Sequence, residues 1–349
     1  MTDQLTPREM LKSLLQGVAP PRPLFLPIVF SLGARVENMP LRSFLANPTK
    51  IFNALRRMRA HLRADGVACY FDPWLEAEAC GATLDWDLLE SPGAAASASP
   101  LRWPEPTEKG ELPPGLFPPE KAIGSGRAPV AFEVVRRLNA VLREGSLLMA
   151  GVSGPFTLAA RLTGLDGEQP LAAEDLPPEA LEIAAALITQ FAAAFVEAGA
   201  NVIFIQEDLL PVLSPGTCDA WASLLAPTLN IVRFFQALPV LQFSSRSAAA
   251  ENRDIVFQRH WDCLLCPALD GIPTARPEEL PASERSPLAL ALPREVFQAD
   301  EAGDAALHQS LHQAVAALHP AILTTAGDVP AATDMKRLLK VLGDVPRAY

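Results

Sequence analysis

The chain has 349 residues, 49% apolar and 20% charged, with a formal net charge of −11. That balance excludes nucleic acid and anionic membrane surfaces as partners, because both need a basic face. No apolar stretch reads as a membrane span, and residues 1–17 are charged, without the apolar core of a secretory signal. Five scattered cysteines, Cys69, Cys80, Cys218, Cys263 and Cys266, do not form a disulfide framework, so a reducing, cytoplasmic setting is expected.

Short apolar runs bounded by Gly, Pro or charge recur along the chain. They predict strands at 24–30, 67–71, 147–151, 202–206, 240–244, 263–266, 288–292 and 321–325. The runs lack alternation, as strands buried on both faces of a parallel sheet do. Helical spacing fills 48–63, 131–143, 176–198, 218–237, 305–319 and 331–342. Strand and helix alternating in this way predict an α/β protein, a (β/α)8 TIM-type barrel spanning residues 1–349 as one domain. A doubly wound open sheet is the alternative, and no Gly-rich nucleotide loop supports it.

Two regions break the alternation. Residues 88–128 are rich in Pro, Gly, Ser and Ala, and are expected to cross the barrel mouth as an insertion after strand two. Residues 272–287 are short and Pro-rich, which makes a full crossover helix there doubtful.

Asp72, Glu76 and Glu78 stand within seven residues on the segment leaving strand two. Carboxylates at that end of a parallel strand sit where barrel enzymes keep their chemistry. The same spacing also suits a solvated helix start capped by Asp72, and spacing alone favours that reading. His260, Cys263 and Cys266 have a metal-like spacing, but a strand through them would point the two cysteines to opposite faces. His308 and His312 lie one helical turn apart with no third ligand in view, as on a solvated helix face.

The run Phe71-Asp72, then Glu76-Ala77-Glu78-Ala79 and Gly81, ending in Thr83-Leu84-Asp85-Trp86, resembles the uroporphyrinogen decarboxylase superfamily. The pattern is closer to its cobamide-dependent methyltransferase branch. Further motifs fall in the same order: Thr6-Pro7-Arg8-Glu9, the segment 34–48, Gly154-Pro155-Phe156-Thr157-Leu158, the strand entry 198–203, and Glu207-Asp208 followed by Leu213-Ser214-Pro215. Each motif is short, and their shared order carries the resemblance from about Thr6 to the last helix. It implies a (β/α)8 barrel, in agreement with the strand count.

Zinc ligands of the coenzyme M methyltransferases would fall at Gln242, Ser244 and Gly327, none of which binds zinc well, so no metal is expected. The decarboxylases' arginine-rich segment keeps only Arg35, while their essential aspartate has a counterpart in Asp72. The resemblance therefore implies a methyltransferase that works without zinc. It would move a methyl group between a small substrate and a corrinoid (cobalamin) presented by a partner protein, with no tightly bound cofactor of its own. Asp72 or Glu207 would act as the catalytic acid, with Arg35, Glu76, Arg161, Asp208, Gln242 and Ser244 around the substrate. Arg161 would hold a substrate carboxylate or pair with a neighbouring acid. A decarboxylase-like tetrapyrrole enzyme and a non-catalytic binding member of the superfamily are the alternatives. A homodimer is an expectation from the decarboxylases.

Overall fold

The computed structural model describes residues 5–90, 99–105, 108–142, 145–167, 171–243, 251–266, 286–297, 304–343 and 345. Eight strands form one sheet: β1 (Leu24–Phe25), β2 (Gly66–Tyr70), β3 (Leu147–Ser153), β4 (Val202–Glu207), β5 (Leu238–Phe243), β6 (Leu264–Cys266), β7 (Leu288–Leu292) and β8 (Ile322–Thr325). Every pairing is parallel, and the order β1-β8-β7-β6-β5-β4-β3-β2 is the cyclic order of a (β/α)8 barrel.

Asp65, just before β2, joins the two ends of this series. Its N–H donates to the Phe25 carbonyl at 2.9 Å, and its carboxylate accepts the Phe25 N–H at 2.8 Å. Arg22 grips the same carboxylate through two bonds of 2.6 and 2.9 Å. The barrel seam is thus closed by one acidic residue rather than by a long ladder. The expected strand 24–30 pairs as a ladder, with β8, only over Leu24–Phe25. Beyond it, Leu26 and Ile28 still donate to Leu323 and Thr325 of β8.

Helices surround the sheet: α1 (Pro48–Leu62), α2 (Leu75–Ala79), α3 (Ala128–Leu142), α4 (Pro155–Leu162), α5 (Pro178–Ala198), α6 (Pro215–Phe234), α7 (Asp304–Leu318) and α8 (Met335–Gly343). Their starts follow from capping chemistry. Asn47 accepts the Lys50 N–H and Ser214 the Thr217 N–H, each ahead of a proline that needs no donor partner. Helix α5 corrects the expectation that no stretch is long enough to span a membrane. Its 21 residues suffice by length and composition. Its apolarity is used in packing on β3, β4, α3, α4 and α6, as in a core helix of a barrel.

The region expected as an insertion begins inside a short helix, Trp86–Glu90, and ends where α3 starts. Its described parts are fastened to the rest of the chain. Leu101–Arg102 pairs antiparallel with Thr83–Leu84. The Phe117 N–H donates to the Cys80 carbonyl at 3.0 Å, and the Gly110 N–H to the Thr163 carbonyl at 2.9 Å. Both anchors lie beyond the C-terminal ends of β2 and β3. The segment 272–287 and Ser244 fall mostly or wholly outside the described residues.

Candidate active site

Residues leaving β2, β3 and β4 meet in two linked clusters. Asp72 opens the first. It is buried, and its Oδ1 accepts the Trp74 N–H at 3.0 Å, which shapes the turn into α2. Its other oxygen pairs with Arg127, which also donates through Nε to Glu78 at 2.6 Å. The guanidinium of Arg127 lies 5.2 Å from the Trp86 ring centre. Burial opposes the charge on Arg127, yet Asp72, Tyr70 and Glu78 outweigh it and hold the guanidinium more firmly protonated than usual.

Glu76 starts the second cluster. Only 1% exposed, it accepts the Ser153 N–H at 2.8 Å and the Ser153 hydroxyl at 3.2 Å. Burial pushes its carboxyl up to about 7, against the pull of Ser153, its own N–H and Arg161. Arg161 donates through Nη1 to the Ser153 hydroxyl at 2.8 Å and through Nη2 to Asp208 at 3.0 Å. Its guanidinium stacks 4.9 Å from the Trp74 ring centre. Trp74 therefore links the clusters, with its backbone on Asp72 and its ring on Arg161.

Glu207, at the end of β4, is fully buried. Oε1 accepts from the Trp221 indole at 2.9 Å and the Phe156 N–H at 3.3 Å; Oε2 accepts the Thr157 hydroxyl at 2.7 Å and N–H at 3.1 Å. Burial raises this carboxyl to about 7, and the Thr157, Trp221 and Phe156 donors oppose that rise. A side chain at Gly154 would place its Cβ 2.1 Å from Glu207 Cδ, so only glycine admits the carboxylate here. Glu207 thus fixes the N-terminal turn of α4, while Asp208 holds Arg161 near the other end of that helix.

Of the remaining expected residues, Ser244 lies outside the described residues, and Arg35 and Gln242 share no hydrogen bond with these clusters among the described residues. Arg35 is exposed and donates to the carbonyls of Ala332 and Thr333, at 2.9 and 3.1 Å. Gln242 is buried and accepts from the Gln206 amide at 3.3 Å. Asp328, after β8, was not anticipated. It accepts the N–H groups of Phe30 and Ser31 at 2.7 and 2.9 Å, and burial raises its carboxyl to about 6.

The positions matching zinc ligands do not suit the metal. Gln242 offers a neutral amide already bonded to Gln206. Gly327 has φ +106, and the Arg294 guanidinium lies 3.2 Å from where its Cβ would stand. A cation occupies the place where a thiolate would be needed. Among the described residues, no three His, Cys, Asp or Glu side chains group as a metal set.

Sequence reasoning missed Arg127, Ser153, Trp74 and Trp221. Arg127 follows Asp72 by 55 positions across a low-complexity stretch, and no spacing rule connects them. Thr157 stands within the quoted Gly154–Leu158 motif, so a role near α4 was readable there, though its acidic partner was not.

No curated protein sequence matches the chain. Among solved structures, a methyltransferase from Methanosarcina mazei superposes with a TM-score of 0.69 at 17% identity, covering 97% of this chain and 98% of that one. A protein assigned as a vitamin-B12 independent methionine synthase from Listeria monocytogenes gives 0.51 at 13% identity, covering 91% and 95%. At such identities the likeness concerns the fold alone. The uroporphyrinogen decarboxylase (URO-D) family profile matches residues 6–248, well over half of the chain and including Asp72, Glu76, Arg127, Ser153, Arg161 and Glu207. The chain, a parallel α/β barrel with acids at its strand ends, belongs to the uroporphyrinogen decarboxylase (URO-D) family.

Proposed function

We propose that this protein is a zinc-independent methyltransferase that moves a methyl group from the oxygen of a small substrate to a corrinoid carried by a partner protein. The observation that carries the reading is the pair of contrasted acids at the β2 end. Asp72 is locked in an ion pair with Arg127, whereas burial pushes Glu76 up to about 7. A carboxyl held in an ion pair beside one pushed up by burial suits acid catalysis beside charge stabilisation. The Methanosarcina methyltransferase, a protein of this reaction class, shares the fold.

The corrinoid supplies the reduced cobalt that accepts the methyl group. The protein's own residues handle the oxygen left behind. As the methyl–oxygen bond breaks, its electron pair stays on oxygen, and a proton from Glu76 neutralises it. A group near 7 is matched to this task at neutral pH. Among the described residues, Glu76 receives the two Ser153 bonds and the approach of its own N–H, so the protonated acid keeps its O–H to donate to a ligand oxygen. Glu207 has four donors on its two oxygens, which fills its capacity. We therefore assign it the positioning of α4, and through α4 of Arg161. Asp72, ion-paired with Arg127, stabilises positive charge developing nearby. Asp208 and Arg161 border the substrate.

The test is a single-turnover reaction with a corrinoid protein in the cobalt(I) state and a panel of methoxy donors, followed by the cobalamin spectrum. Methylation that is lost in Glu76→Gln and Asp72→Asn supports the reading. A folded protein that methylates no cobalt with any donor overturns it.

A further inference from the structure

Among the described residues, one nitrogen of each of these two buried arginines has no hydrogen-bond acceptor: Nη2 of Arg127 and Nε of Arg161. Both residues are more than nine-tenths buried, at 6% and 4% exposure. Buried donors in native proteins are almost always paired, so two orphans bordering one short turn call for an acceptor that the described residues do not supply. Both arginines border that turn. Arg127 pairs with Asp72 and Glu78, and Arg161 stacks on Trp74 and shares Ser153 with Glu76.

Charge then narrows the acceptor. Two guanidiniums face four carboxyl groups, Asp72, Glu76, Glu78 and Asp208. A carboxylate ligand would add negative charge to a site already short of positive charge, in a buried setting that screens little. Arg161 also lacks a free fork for bidentate carboxylate binding, since Nη1 and Nη2 are engaged by Ser153 and Asp208. A cationic ligand would be attracted by the acids but would leave both N–H groups unsatisfied. The Trp74 and Trp86 rings, which could hold a cation, already carry Arg161 and Arg127.

We infer that Arg127 and Arg161 form an oxygen-acceptor subsite for an uncharged ligand, which makes the substrate a neutral methoxy compound rather than a methoxy acid or a methylammonium. That the ligand is the substrate rests on the methyl-transfer reading; the preference for a neutral oxygen ligand stands on the two arginines and the carboxyl groups and rings that surround them.

Binding of three probes of similar size tests it by calorimetry, without any corrinoid: 2-methoxyphenol, 2-methoxybenzoate and protonated 2-methoxybenzylamine. The phenol is expected to bind at least tenfold more tightly than either ion. Arg161→Lys keeps the charge beside Asp208 but removes the Nε donor, and should weaken the phenol about tenfold with the fold unchanged by circular dichroism. Arg127→Lys should act in the same direction. Tightest binding by either ion, binding of the phenol unchanged by Arg161→Lys, or binding of none of the probes overturns the inference. Selective phenol binding lost in Arg161→Lys, with no methyl reaching cobalt in the separate turnover assay, upholds the subsite and refutes methyl transfer.

Discussion

Glu207 holds Thr157 twice, accepting its hydroxyl at 2.7 Å and its backbone N–H at 3.1 Å on the same carboxylate oxygen. A β4 residue thereby serves as the cap that α4 lacks in its own sequence, since Gly154 supplies no side chain. The arrangement needs both partners: an acid with four acceptor directions and a glycine that leaves room for it.

Gly154→Ala should therefore destabilise strongly. Its Cβ would fall 2.1–2.5 Å from three Glu207 atoms, and a carboxylate bound by four donors cannot swing away without losing them. A loss of about 3 kcal/mol is expected from overpacking with broken hydrogen bonds, measured by urea unfolding. A change below about 0.5 kcal/mol would show that Glu207 is not held as described.

Arg127→Met should cost about 3–5 kcal/mol, because it strands Asp72 and Glu78 in a buried site. Adding Asp72→Asn to the same variant should recover part of that loss. Purely additive effects in the double-mutant cycle would contradict the buried pair.

Glu76 predicts a pH dependence of stability. Burial raises its folded carboxyl from 4.5 to about 7, so within that window the native state retains a proton that the unfolded chain has released. Stability then falls as pH rises through the window, by about 3 kcal/mol for this group by pH 8. Glu207 adds a change of the same sign. Glu76→Gln should flatten the slope between pH 5 and 8, seen in unfolding midpoints at the two ends. An unchanged slope would place the Glu76 carboxyl near its ordinary value.

Metal removal should leave the protein as it is. With a guanidinium over Gly327 and an amide at Gln242, dialysis against a chelator should not shift the melting temperature or release zinc. A stoichiometric zinc content with a loss of stability on chelation would contradict this arrangement.

The barrel was legible because strands buried on both faces leave short, unalternating apolar runs, and all eight runs proved to be strands. Acids at strand ends were legible for the same reason: Asp72 and Glu207 each follow such a run. Their roles were not. Asp72 and Arg127 meet across 55 positions, and Glu76 and Ser153 across 77, so no local periodicity records either contact. Glu207 reads as a candidate acid in sequence, yet its four donors come from two segments, the start of α4 and α6, that only the folded barrel brings to it. Arg35 shows the opposite case. Its motif position is retained, but its guanidinium is tied to carbonyls after β8.

The most direct measurement is the single-turnover rate of cobalt methylation from 2-methoxyphenol with the wild-type protein and with Glu76→Gln, which resembles the protonated acid in shape but cannot release a proton. The account predicts methylation by the wild-type protein and a rate at least about 100-fold lower in the variant, the usual scale of a general acid. An equal rate in both proteins would remove Glu76 from the chemistry, and no methylation by the wild-type protein would contradict the methyltransferase reading itself.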